Sequence, residues 1–316
     1  MDSVVKTGYV DTVKAEKSIL GVLAYFDIFQ YPLTEKEIKK LLSRQVAEEK
    51  YKAALESLVS DKIIFRLDRF YSLRDDSQLA TRRMEGNCHA KTLFVKAVKI
   101  GAFLYKFPYV RAVALSGSLS KDYVDEKADI DFFIITKANR LWIARTIMHL
   151  FKKFTFLSGR QHLYCMNYYI DEDALVIEEK NIYTATEIIT LLPLGGSACM
   201  KDFFEANNWA SEWFPMYFNE HELSISDTRS RIGKFAEWLL NKRMGDRLDQ
   251  FLFKWTSRRW EKKEQRGQKN MKGKTMSLIT GRHFAKSDPE SFQEKIIVMY
   301  NTRINQLKNQ WPQFFE

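Results

Sequence analysis

The chain has 316 residues, 45% hydrophobic and 14% aromatic, enough apolar material for packed cores in two or three domains. Its 50 Lys and Arg outweigh 40 Asp and Glu, and a net charge of +10 suits polyanionic ligands, triphosphates as well as nucleic acid. The opening MDSVVKTGYVDTVK has no apolar run of the signal-peptide kind, and no segment approaches the length of a membrane span, so a cytoplasmic protein with no membrane partner is expected. Three cysteines (Cys88, Cys165, Cys199) without CxxC spacing argue for reduced thiols and against a structural zinc site.

Taken in order, Ala15 to Phe29 has helical periodicity, with Ile19, Leu20, Leu23 and Phe26 on one face. Tyr31-Pro32-Leu33 breaks it, and Thr34 with Glu37 reads as a capping box for a short helix over Glu35 to Leu42. A third helix, about Ala47 to Ser60, should bury Tyr51, Ala54, Leu55 and Leu58. Ile63 to Arg66 and Arg69 to Leu73 then read as two strands. Three helices and a hairpin resemble a winged helix-turn-helix, a DNA-reading fold. Its recognition helix, however, would carry Glu48, Glu49 and Glu56, which phosphates repel. Docking or packing is the expected role, and sequence-specific DNA is not an expected partner.

Asp75 to Cys88 is polar and charged and reads as a linker or an exposed helix; Lys91 to Phe107 is helical. The stretch that follows, YVRAVALSGSLSKDYVDEKADIDFFIIT from Tyr109 to Thr136, carries the chemistry. An apolar strand (Val110 to Leu115) runs into a Ser116-Gly117-Ser118 turn, and a second strand opens Asp129-Ile130-Asp131. Alternation puts Asp129 and Asp131 on one face and Ile130 in the core. Two carboxylates side by side against apolar neighbours repel each other and lose hydration, and Mg²⁺ relieves both costs. The glycine lets a phosphate approach the backbone, where exposed N–H groups and a hydroxyl can hold it.

Gly117-Ser118, ten intervening residues, then Asp-hydrophobic-Asp-hydrophobic resemble the signature of the nucleotidyltransferase superfamily typified by DNA polymerase beta. The resemblance covers about residues 90 to 190. It implies an α+β, polymerase-beta-type core, a mixed sheet with flanking helices. Gly117 and Ser118 would hold the phosphates of an NTP, ATP above all, and Asp129 and Asp131 would bind Mg²⁺. Lys121 would be a weaker phosphate helper. Many members carry a third carboxylate on a later strand that acts on the attacking hydroxyl. Here His162 to Ile170 should be that strand, and its centre holds Asn167. Asp171, on the same face by alternation, is the candidate for the missing carboxylate, and Glu187 is another.

Ala138 to Phe156 reads as an amphipathic helix, and Asn181 to Glu187 leads into an apolar helix ending at Pro193 and closed by Gly195-Gly196. From Lys201 the chain reads as entirely helical, with its tryptophans, Trp238 and Trp255 among them, as core. Lys254 to Lys274, with nine Lys and Arg against two Glu, reads as a mobile basic loop that could clamp a triphosphate or an acidic acceptor. Ser287-Asp288-Pro289-Glu290 reads as the cap of the last helix. The expected architecture is a winged-helix-like module and linker (residues 1–88), a nucleotidyltransferase core (89–198) and an all-helical C-terminal domain (199–316). The expected activity is Mg²⁺-dependent transfer of a nucleoside monophosphate to an acceptor, small molecule, RNA or protein. A nucleotide-binding sensor without turnover, or a nucleic-acid-binding regulator, are the alternatives.

Overall fold

The computed structural model describes residues 2–125, 128–157, 159, 161–217, 233, 235, 237–238, 243–269, 273, 275 and 277–315, with side chains from residue 14 onward. The N-terminal part runs α1 (Asp2–Asp27), β1 (Leu33–Thr34), α2 (Glu35–Lys40), α3 (Glu48–Ser60), β2 (Phe65–Leu67) and β3 (Phe70–Ser72). Its three strands form an antiparallel sheet in the order β1-β3-β2. The capping box is formed reciprocally: the Glu37 amide donates to Thr34 Oγ1 (3.3 Å) and the Thr34 amide to Glu37 Oε2 (2.8 Å). α3 buries Tyr51, Ala54, Leu55 and Leu58, and on its outer side Glu48 is engaged by Lys39 and Lys52.

The second sheet has six strands in the order β7-β4-β5-β6-β9-β8: β4 (Val110–Ser116), β5 (Asp131–Thr136), β6 (Cys165–Asp171), β7 (Leu192–Gly195), β8 (Leu278–Thr280) and β9 (Phe284–Ser287). Only β5 and β6 run parallel, joined through α5 (Leu141–Phe156), and every other pair is antiparallel. Period-2 alternation divides the side chains between two cores. Val113, Leu115, Phe132, Ile134 and Tyr169 pack with Ala97 and Leu104 of α4 (Gln78–Leu104) and Trp142 of α5. Ala112, Ala114, Phe133, Ile135 and Ile170 pack on the other face with α1 and α3. That core also takes in α6 (Ile182–Ile189), α7 (Ser197–Ala206) and α9 (Phe292–Gln310). A fully buried Phe contributes roughly 2–3 kcal/mol by area, so Phe132 and Phe133, on opposite faces, fasten both layers to β5.

The structure is thus mixed α+β with a mixed sheet, and among the described residues no helix is long and apolar enough to cross a membrane. Several expectations are corrected. Of the two readings of Asp75 to Cys88, linker or exposed helix, the helix holds from Gln78, the start of α4, but one side of it is buried: Arg83 pairs with Glu37 (2.6 Å) and bonds Asn87 (3.1 Å). α4 is continuous through residues 88 and 89, and α7 spans residues 198 and 199. The C-terminal part is not all helix, since β8 and β9 extend the central sheet, with Ala285 buried against it. Pro193 ends no helix; it lies in β7, an edge strand, where its missing N–H costs no ladder bond. Lys254 to Gln265 is no loop but the second half of α8 (Arg243–Gln265). Trp238 and Trp255 are exposed, not core. The last helix starts late, at Phe292, after positive φ at Glu290 and Ser291.

Candidate active site

β4 ends at Ser116, which pairs with Asp131 at the start of β5, so the Gly-Ser turn leaves the sheet beside the first carboxylate. Gly117 has φ +70°, and a Cβ built on it would lie 2.6 Å from Asp131 Oδ2. Both the backbone conformation and the approach of the carboxylate therefore demand glycine. Ser118 and Leu119 open a single 3₁₀ turn, Leu119–Lys121, so their amides have no partner within it. The Gly117 carbonyl is used inside the turn, accepting from Ser120 Oγ (2.9 Å) and Lys121 Nζ (3.1 Å). Lys121 also pairs with Glu187 Oε1 at 2.8 Å.

These groups line one cavity of about 530 Å³ on the α1 side of the sheet. Its polar floor is Gly117, Ser118, Lys121, Asp131 and Asn167. Tyr25, Phe26, Phe29 and Tyr31, from the end of α1 and the loop after it, form one wall. Tyr183 and Glu187 of α6, with Lys286, Asp288 and Phe292, line the cavity as well. Tyr31 is fixed from behind by the buried Arg83, whose guanidinium lies 3.7 Å from the ring centroid. The phenol of Tyr183 is raised well above its ordinary pKa, first by burial and then by the charges of Glu187, Asp288 and Asp131, among other groups.

Asp129 flanks the buried Ile130 on the side opposite Asp131, half-buried at the approach to β5, and is not part of the cavity lining. Its field nevertheless joins that of Asp131 at Cys165. Burial above all, then Asp131 and more weakly Asp129, push that thiol up to about 12.

Asp171 does not join them. β5 and β6 are parallel, with Asp131 opposite Cys165 and Thr136 opposite Asp171, which puts Asp171 at the far end of the sheet, roughly 17 Å away. The register slips between Phe132 and Phe133, leaving Asn167 at a bulge. The bulge invalidates the count that placed Asn167, Tyr169 and Asp171 on one face: Tyr168 joins Phe133 and Tyr169 joins the opposite core. Asn167 is the residue that reaches the site, donating through Nδ2 to Asp131 Oδ1. Asp171 is wholly buried and accepts from the amides of Asn139 (3.0 Å) and Asp173 (3.1 Å) and from His283 Nδ1 (2.9 Å). Burial raises its pKa, and these bonds counter the rise. By distance Asp171, Asp173 and His283 could share a cation, but the hydrogen bonds already tie β6 to the loop before β9 without one.

Glu187 does face the cavity, as one reading of the sequence had it. Asp288 and the aromatic wall escaped that reading. Their only trace is an aromatic run, Tyr25-Phe26 then Phe29 and Tyr31, denser than one buried helix face requires. In comparisons with known proteins, no family model, no curated protein and no solved structure matches the chain.

Proposed function

We propose that the chain is a Mg²⁺-dependent nucleotidyltransferase that moves a nucleoside monophosphate from an NTP, ATP above all, to an acceptor and releases pyrophosphate. The observation that carries this is Gly117, held at positive φ directly under the Asp131 carboxylate at the floor of the cavity. Turn and carboxylate, the two halves of the signature, meet there. The cavity's roughly 530 Å³ lies in the range of small-ligand sites. The reading takes the core to be of polymerase-beta type and the N-terminal part to be a winged-helix-like module used for packing.

The Asp131 carboxylate against the turn, with Asp129 two residues before it in the chain, is a donor set that fits a hard divalent cation. Asp129 and Asp131 would hold Mg²⁺, whose charge would neutralise the phosphates and the departing pyrophosphate. Ser118, through its amide and hydroxyl, would take phosphate oxygens, with Lys121 beside it. Lys121 is now bonded to Glu187. When Lys121 turns to a phosphate, Glu187 loses its partner and can take the acceptor's O–H proton. The acceptor oxygen then bonds the α-phosphorus as the bond to pyrophosphate breaks.

A second reading, an NTP-binding sensor without turnover, is favoured by Asn167, whose amide occupies Asp131 Oδ1 and cannot take a proton at neutral pH. Calorimetry of Mg²⁺-ATP with the wild type and the Asp129→Asn, Asp131→Asn double variant tests what both readings share: tenfold or greater weakening is expected, and equal binding removes the assignment. Release of labelled pyrophosphate across small-molecule, RNA and protein acceptors separates the two. Glu187→Gln should lower turnover by about 10²-fold or more while still binding ATP. ATP binding with no turnover for any acceptor selects the sensor.

A further inference from the structure

α8 has two unlike faces. Inward, Leu252 and Phe253 pack with the core beneath α5, and Asp249 and Thr256 are buried. The outer stripe, from Phe251 to Arg266 at helical spacing, lines a groove of about 510 Å³. Its cations are Lys254, Arg258, Arg259, Lys262, Lys263 and Arg266. No acidic side chain is among the lining residues, and among the described residues none of the six cations is ion-paired. Lys254 and Arg258, Arg258 and Lys262, Arg259 and Lys263, and Lys262 and Arg266 stand four residues apart, the spacing at which like charges on a helix repel. Lys153, at the end of α5, adds to the same field at Lys263. A polyanion laid along this surface would relieve that repulsion.

Two aromatic rings stand among these cations. Phe251 is 62% and Trp255 51% exposed, and the Arg259 guanidinium lies 5.5 Å from the Trp255 ring centroid. A helix that lies on a membrane separates its charged face from its apolar face, so that rings enter lipid while cations stay with headgroups. Here both occupy one stripe. Cations alternating with exposed rings along a groove match a strand whose phosphates and unstacked bases alternate in the same way. A duplex would offer the phosphates but keep its bases stacked inside.

We propose that the outer face of α8 binds single-stranded nucleic acid, its phosphates on the six cations and its bases on Phe251 and Trp255. From Phe251 to Gln265 the helix runs about 21 Å, room for a few nucleotides, the low end of known single-strand sites. α8 packs on the α5 side of the sheet, where the Ile143 amide donates to Asp249 Oδ1. The cavity with Asp131 lies on the other side, so this site stands independently of the transfer reaction.

Fluorescence anisotropy of the full chain with twelve-nucleotide oligo(U) RNA and oligo(dT) DNA tests the proposal. Micromolar binding is expected, with log K falling against log salt at a slope of about −3 to −4, near 0.7 per neutralised phosphate. Trp255→Ala and Phe251→Ala should each weaken binding by about tenfold or more with an unchanged melting temperature, because both rings are exposed. The Asp129→Asn, Asp131→Asn variant should bind like the wild type. Saturable binding of either strand with loss in the ring variants supports the site. Inorganic polyphosphate or duplex bound as tightly, with the ring variants unaffected, would reduce the groove to bare charge and overturn it. So would capture by phosphatidylserine vesicles without strand binding, loss of strand binding in the Asp variant, or no saturable binding at 50 mM salt.

Discussion

At the scale of the residue, Gly117 is the glycine on which the candidate site turns. Its φ of +70° lies in the left-handed region, where an L-residue costs about 1–2 kcal/mol, and the added Cβ would meet Asp131 Oδ2 at 2.6 Å. Gly117→Ala must therefore move either the turn or the carboxylate. Since Asn167 also holds that carboxylate, the turn and Asp131 should separate without the strand unfolding. Mg²⁺-ATP affinity should drop at least tenfold, with a melting temperature lowered by a few degrees. Calorimetry beside a thermal scan checks this, and unchanged affinity would show that the turn does not touch the ligand.

Between elements, burial sets the terms. α5 begins with amides that have no partner inside the helix, and Asp249 of α8 takes the Ile143 N–H at 2.9 Å, capping one helix from another. Asp249 is fully buried, and burial pushes its pKa up to about 6 against the pull of the Ile143 amide and Arg282. A carboxyl with a folded pKa above its unfolded value of about 3.9 binds its proton more tightly when folded. Its contribution to stability therefore falls as pH rises from about 4 to 6. Urea denaturation at pH 4.5 and pH 7 should show this loss, and Asp249→Asn should reduce it; an identical difference in the variant would mean that Arg282 keeps the carboxylate charged throughout. This cap was not legible in the sequence, because its two ends lie far apart along the chain. Local signals were legible: the Thr34 and Glu37 cap, the buried stripe of α3, the strand-turn-strand around Gly117 and Asp131. The β6 bulge was not, because one extra residue reverses every later side chain and nothing in CMNYYID marks it. β8 and β9 escaped for a related reason: they are three and four residues long and gain their place by pairing with β6, not by alternation of their own. The basic run from Lys254 read as loop because its charge masked good helix formers.

Over the whole molecule, the cavity belongs to no single part of the chain. Its walls come from the end of α1, the β4–β5 turn, β6, α6 and the segment joining β9 to α9. The same parts are fastened behind it: Asp27 at the end of α1 pairs with Arg74 (2.6 Å) and with Arg303 of α9 (3.0 Å), and Tyr25 meets Tyr300 edge-on. A ligand that fills the cavity must therefore bridge elements nearly the full chain apart, and its binding energy is added to the stability of all of them. At a hundredfold excess over Kd that addition is about 2.7 kcal/mol. Hydrogen exchange read peptide by peptide distinguishes this from a ligand held by the signature turn alone. With Mg²⁺-ATP, amides of residues 22–31 and 183–189 should slow together with those of residues 117–121, by up to about a hundredfold where they open only with the whole fold. Protection confined to residues 117–121 would show that the aromatic wall takes no part. In that case the nucleotide would lie on the rim beside Asp129, leaving the cavity to the acceptor.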